Sequence, residues 1–151
     1  MVRIRKMKPR DIAQAARIMM REFSKPPYKE KWGTRGARKR IKEILESRRG
    51  FCIIAEEKRE VIGYVICSGF TWFDGERGLV EDIAVKEGFQ GKGIGTGLVK
   101  QIERHYAKKG AGKVILTVNK GSSATKFYRH LGYEDYEYKL MHKSARKKAR
   151  Q

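Results

Sequence analysis

Cysteine, proline and asparagine are scarce in this chain, and long apolar runs are missing. The only two cysteines, Cys52 and Cys67, fall in strand-like apolar stretches and are expected as buried thiols. So few exclude a disulfide scaffold, and no His/Cys/Asp/Glu spacing resembles a metal site. Three prolines leave no proline-rich linker, and Asn119 is the only asparagine among abundant Lys, Arg and Glu, a bias that fits heat adaptation. No apolar run approaches the length of a membrane span, and Met1-Val2-Arg3-Ile4-Arg5 lacks the apolar core of a signal peptide, so a cytoplasmic protein without membrane association is expected. Acidic residues are also short, with 17 Asp and Glu against 36 Lys and Arg, for a net charge of +19.

What is present describes one domain with enough length for a real core: 151 residues, 40% hydrophobic and 10% aromatic. The charge is uneven. Residues 1–50 carry +12, residues 51–138 carry +1 and residues 139–151 carry +6. A near-neutral core between basic ends points to a partner of negative charge, although charge runs also arise as plain solvated helix faces.

Hydrophobic periodicity predicts a short strand at Val2–Lys6 and then an amphipathic helix that starts near Pro9 and carries Ile12, Ala15, Ala16, Met19 and Phe23. Thr34 is placed to cap a second helix ending near Gly50. Phe51–Glu56 and Val61–Phe70 read as a hairpin whose second strand is apolar enough to be central. A strand at 77–85, a helix to about Lys109, a strand Val114–Val118, a helix Ser123–Leu131 and a final strand Tyr133–Met141 complete the pattern. Residues 143–151 read as a basic, disordered tail.

The most informative stretch is Val85–Gly97, where an apolar strand runs into four alternate glycines, Gly91, Gly93, Gly95 and Gly97, that open a helix. Such a junction suits an anion: glycine lets the backbone approach closely, and unpaired N–H groups and the helix dipole point at negative charge. A ligand-free glycine-rich junction is the bland alternative, and it is disfavoured because glycine costs about 1 kcal/mol relative to alanine inside a helix. The dinucleotide fingerprint fails at Thr96 and Leu98, and no G-K-[ST] triplet supports a P-loop. What matches is Gln90-x-x-Gly93-x-Gly95. The segment E-D-I-A-V-K-E-G-F-Q-G-K-G-I-G resembles the acyl-CoA pyrophosphate loop of the GNAT superfamily of N-acyltransferases. A second stretch, Leu116–Tyr133, resembles the family's downstream signature ending F-Y-x-x-x-G-[FY], with one departure: Gly121 stands where the family often has asparagine, and Asn119 lies two residues earlier.

The resemblance implies an α+β (α/β) GNAT fold over residues 1–142. Its mixed, mostly antiparallel central sheet would have six or seven strands and four helices, splayed after the fourth strand. It implies direct transfer of the acetyl group of acetyl-CoA, a co-substrate, to an amine, with no metal. Pyrophosphate would sit on backbone N–H groups across Gln90, Gly91, Lys92, Gly93, Ile94, Gly95 and Thr96. The pantetheine arm would lie along Ile83, Ala84 and Val85, with the Val85 N–H polarising the thioester carbonyl. Asn119 would take a pantetheine or acceptor role. Lys92, Lys126 or Arg129 would meet the remaining phosphate charge; for each, a solvated surface cation is the plain alternative.

The base is sought in Glu81 and Asp82. In a regular strand Glu81 shares a face with Ile83 and Val85, and Asp82 with Ala84; a bulge would bring Asp82 round instead. Glu81 is ranked first, and a salt bridge from either carboxylate to a basic residue such as Arg77 is the structural alternative. Tyr128 is the acid for the departing thiolate, against a core-edge aromatic reading; a thiol pKa of roughly 8.5 makes that proton helpful rather than essential. His105 and His130 fit the base role worse, one mid-helix and one beside Arg129.

The basic N-terminal third would repel a cationic acceptor unless the pocket is locally acidic, through Glu81-Asp82 or Trp72-Phe73-Asp74. A neutral or anionic amine, or a peptide N-terminus or lysine, suits the field better. The rivals are a basic nucleic-acid-binding module and an acyl-CoA sensor, both without catalysis. The charge suits weak, sequence-independent association with nucleic acid or the ribosome, and monomer and homodimer stay equally open.

Overall fold

The computed structural model describes residues 1–146. Strand β1 (Arg3–Lys6) leads through a 3-10 turn, Pro9–Asp11, into α1 (Ile12–Glu22). Proline suits that turn because its missing N–H would find no helical acceptor there. The turn is pinned by Asp11, whose carboxylate accepts from both Arg5 guanidinium nitrogens (2.8 and 3.0 Å) and from the Lys8 N–H (2.7 Å). Helix α2 (Thr34–Glu46) starts at Thr34 itself. The capping position belongs to Gly33, and no side chain caps the helix, so the expected threonine cap is not formed.

Then come β2 (Phe51–Glu57), β3 (Glu60–Trp72), β4 (Gly75–Val85), α3 (Ile94–Lys108), β5 (Lys113–Leu116) and α4 (Ala124–His130). The sheet order follows the chain, antiparallel from β1 to β4, with β5 joined parallel to β4. Strand β3 is buried without break from Val61 to Cys67, as a central strand covered on both faces should be. Alternate side chains divide between two cores. Tyr64, Ile66 and Ile54 pack with Met19 of α1 and Ile41 of α2, while Val65, Ile53 and Val80 pack with Leu98, Ile102 and Tyr106 of α3. Cys67 stands opposite Phe51, so its neighbour Cys52 faces the other core and both thiols are free and buried.

Two features of β4 shape everything that follows. It pairs with β5 only from Arg77 to Val80, so residues 81–85 run on along an open edge. This is the splay expected after the fourth strand. It also carries a bulge: Val80 stands opposite Cys67 and Asp82 opposite Ile66, leaving Glu81 as the extra residue.

Among the described residues the sheet has five strands, not six or seven, because the final strand expected at Tyr133–Met141 does not form. The chain there is held by a side chain instead of a ladder. The Tyr136 hydroxyl accepts from Arg77 Nη1, and the Arg77 guanidinium carbon lies 5.8 Å from the Tyr136 ring centroid. Strand β5 offers only four residues to pair with. Residues 143–146 of the expected tail carry no helix or strand, and its residues 147–151 lie outside the described residues. No helix among the described residues is long and apolar enough to cross a membrane.

Candidate active site

Where β4 leaves β5, a pocket of about 240 Å³ opens. Glu81, Asp82 and Ile83 line one side, Leu116–Asn119 and Tyr128 another, and Phe23, Tyr28 and Glu30 from the α1–α2 connection close it. The bulge explains why both carboxylates reach the same cavity. After it, Ala84 belongs to the α1–α2 core and Ile83 and Val85 to the α3 core, and Asp82 falls on the Ala84 side. Glu81 does not share the face of Ile83 and Val85: Ser68 Oγ donates to its Oε1 at 2.8 Å, and Arg40 of α2 lies 3.5 Å from its Oε2.

Arg40 holds Asp82 more closely, with Nε to Oδ2 at 2.7 Å and Nη2 to Oδ1 at 3.3 Å. Burial pushes the Asp82 carboxyl above its ordinary range, and the Arg40 hydrogen bond only partly offsets it. Arg77, the partner anticipated for these carboxylates, is engaged elsewhere. It is buried, pairs with Asp74 (2.9 Å) and lies against Trp72 and Phe73. Asp74 is therefore spent at the β3–β4 turn and adds nothing to the pocket. Sequence reasoning missed Arg40, 42 positions from Asp82, and Glu30; neither lies in a motif.

Tyr128 enters the pocket from α4, nine-tenths buried, and its hydroxyl makes no hydrogen bond among the described residues. Burial pushes that hydroxyl well above an ordinary phenol. The hydroxyl therefore stays protonated at neutral pH and can donate a hydrogen bond to an acceptor in the cavity. Asn119 lines the pocket too, with its Oδ1 taken by the Gly121 N–H at 2.9 Å. His105 is stacked on Phe51 (centroids 3.5 Å apart) and His130 ends α4; neither lines the pocket.

Beyond Val85 the chain turns through the glycine loop. Lys86 N–H donates to Ile62 O at 2.8 Å. The neighbouring Val85–Gly63 pair is thus of the wide kind, and the N–H and C=O of Val85 point away from β3 toward the open edge. Gln90 Nε2 takes that carbonyl (2.8 Å) and also reaches Glu22 (2.7 Å), fastening the loop to strand and helix. The Val85 N–H is left facing the cleft.

From Gln90 to Thr96 no backbone N–H makes a well-aligned hydrogen bond among the described residues. Gly91 and Gly93 hold φ of +75° and +83°, a region that side chains rarely adopt. A Cβ there would meet nothing within 4 Å, so the space over the loop is open. This cradle, at the positive end of the four-turn helix α3, fits a pyrophosphate. Ile94 is buried and anchors the helix start, and Thr96 is half-buried in its first turn. Lys92 and Lys126 are both exposed, Lys92 with its Nζ 5.7 Å from the Phe89 ring. Among the described residues no group of three or more His, Cys, Asp or Glu side chains is placed to hold a metal ion.

Residues 17–133 match the model of the acetyltransferase (GNAT) family. An uncharacterized N-acetyltransferase of Chlorobaculum tepidum is 32% identical over 98 residues, 64% of this chain and 57% of that protein. The chain spans about half the length of the curated relatives it matches. Among solved structures, a transcriptional regulator from Bacillus halodurans superposes with a TM-score of 0.79 at 23% identity, covering 94% of this chain and 99% of that one. An aminoglycoside acetyltransferase from an uncultured soil metagenomic sample superposes with 0.76 at 18%, covering 97% of each. At these identities the likeness concerns the fold.

Proposed function

This chain belongs to the GNAT family of acetyltransferases, and on that premise we propose that it moves the acetyl group of acetyl-CoA directly to an amine. The observation that carries the reading is the open edge of β4. One strand presents a free N–H at Val85, two carboxylates upstream of it and an anion cradle downstream.

Acetyl-CoA supplies the thioester and the leaving thiol. The N–H groups of residues 90–96 hold its pyrophosphate, and the exposed Lys92 and Lys126 meet the remaining phosphate charge. The backbone of Ile83–Val85 receives the pantetheine arm as the strand that β5 does not provide. The Val85 N–H points at the thioester oxygen and stabilises the negative charge developing there. Glu81, fixed by Ser68, accepts the proton of the incoming ammonium, while Asp82 holds Arg40 in place. The amine nitrogen bonds to the carbonyl carbon, the carbon–sulfur bond breaks, and the sulfur takes its proton from Tyr128. Asn119 shapes the wall between pantetheine and acceptor. The non-catalytic rivals, a nucleic-acid module or an acyl-CoA sensor, leave the Glu81–Ser68 contact and the unpartnered Tyr128 hydroxyl without a use.

The test is thiol release from acetyl-CoA across a panel of amines, together with native mass spectrometry of the purified protein for bound CoA. Acetylated amine in step with released thiol supports transfer. CoA binding with no acetylated product from any amine overturns catalysis and leaves a sensor. No CoA binding overturns the site.

The charge has a separate reading. The outer side of α2 exposes Arg35, Arg38, Lys39 and Lys42. We infer weak, sequence-independent association of this face, with the basic tail, with nucleic acid.

A further inference from the structure

We propose that the acceptor is a compact amine carrying a second positive charge, and that Glu30 is the residue that selects it. The inference rests on the acetyl-transfer reading of the pocket and adds its substrate class.

The chain carries +19 overall, yet the pocket gathers three carboxylates: Glu30, Glu81 and Asp82. The cation bound among them is Arg40, already forked onto Asp82, so the group keeps a net charge of −2. A dication balances that field, a monocation half balances it, and an amine with a carboxylate or phosphate worsens it. Of the three acids, Glu30 has no part in proton transfer. Its Oε1 is oriented by Trp32 Nε1 at 2.8 Å, and its backbone N–H is tied to Phe23 O at 2.8 Å.

One buried side chain adds independent support: Tyr128 lines the cavity, and its hydroxyl has no hydrogen-bond partner among the described residues. The side of the wall that carries Glu30 is aromatic, with Phe23 and Tyr28 packed edge to face at 5.0 Å, and aromatic faces favour cations.

Size follows from the loop that carries Glu30. Tyr28 and Ser122 share a hydrogen bond between their hydroxyls (2.8 Å), and a Cβ on Gly121 would lie 3.2 Å from Pro27. Glycine at 121, where the family often has asparagine, thus leaves room for the α1–α2 connection to close against the β5–α4 connection. The pocket, about 240 Å³, has room for a short chain.

The probes are 1,4-diaminobutane, 1-aminobutane and 4-aminobutanoate, alike in length and differing in the charge of the far end. Binding to the CoA-loaded protein is measured by calorimetry, and acetyl transfer is measured alongside. The expected order is diamine, then monoamine, then amino acid, with the diamine at least about tenfold tighter than the amino acid. Glu30→Gln, which keeps the shape and the Trp32 contact, should weaken the diamine about tenfold and move 1-aminobutane little. Equal binding of the three amines, or an unchanged diamine affinity in Glu30→Gln, overturns the proposal. If the order holds but no amine is acetylated, the charge reading stands and the transfer reading fails. If all three are acetylated with equal kcat/KM, transfer stands and the charge reading fails.

Discussion

Arg40 on α2 grips Asp82 on β4 with two nitrogens, at 2.7 and 3.3 Å, across 42 residues of sequence. The contact fastens the α1–α2 layer to the strand that carries the candidate chemistry. Its guanidinium opposes the upward push that burial gives the Asp82 carboxyl.

Arg40→Met should therefore let burial act unopposed, so that Asp82 binds its proton at higher pH. With Glu81 as the base, the acid limb of the pH–rate profile should stay near wild type, with acetyl-CoA affinity unchanged. An acid limb that moves up together with Asp82 would bring Asp82 into the proton transfer.

Glu81→Gln should lower kcat by about 10²–10⁴, the scale of a lost general base. Tyr128→Phe should lower kcat while acetyl-CoA binding stays intact. Measured beside Asp82→Asn, these variants rank the acids: a silent Glu81→Gln with an impaired Asp82→Asn transfers the base role to Asp82. If both carboxylate variants are silent, the amine arrives already deprotonated.

Gly93→Asp should abolish acetyl-CoA binding in a calorimetric titration, because it places a carboxylate over the N–H cradle at a φ of +83°. The far-ultraviolet circular dichroism should stay near wild type, since the side chain meets open space and the strain of the positive φ falls on this loop alone. Unchanged affinity would remove pyrophosphate from this loop.

Two stability predictions read the scaffold. A Cβ on Gly78 would lie 2.5 Å from the Tyr106 ring, whose hydroxyl donates to Ser68 O at 2.9 Å. Gly78→Ala should cost about 1–3 kcal/mol in thermal or denaturant unfolding by overpacking α3 against β4. Asp11→Asn should cost roughly 3 kcal/mol, because it leaves the largely buried Arg5 guanidinium short of its main partner. Burial pushes Asp11 up, but the Arg5 and Lys8 hydrogen bonds outweigh it and hold the carboxyl below its ordinary value of 3.8. That contribution is complete above 3.8 and is lost as pH falls through the lower folded value. The gap between wild type and Asp11→Asn should close in that acid range, and a gap independent of pH would contradict the assignment.

The charge is tested by titrating a labelled oligonucleotide at several salt concentrations. Affinity should fall with a log–log slope of about −0.9 per phosphate contact on duplex DNA. Replacing Arg35, Arg38, Lys39 and Lys42 by glutamine, or deleting residues 143–151, should flatten that slope. Absence of binding at low salt would assign the charge to solubility or heat stability.

What the sequence determined by itself is the local physics. Glycines at 91 and 93 before an apolar 3.6-residue repeat specify a strand, an open turn and a helix start within a dozen residues, and that is why the family and the shape of the glycine loop were legible. The unbroken apolar runs Cys52–Ala55 and Val61–Cys67 likewise specify a hairpin covered on both faces. The tertiary structure decided what depends on distant partners. The bulge at Glu81 comes from how β4 meets β3, and it turns two consecutive carboxylates, which a regular strand would send to opposite faces, into one cavity. Arg40 and Glu30 reach that cavity from another layer, so no spacing announces them. Tyr133–Met141 has the composition of a strand, but a strand needs a ladder to join. Arg77 captures the Tyr136 ring and hydroxyl, and the segment stays off β5.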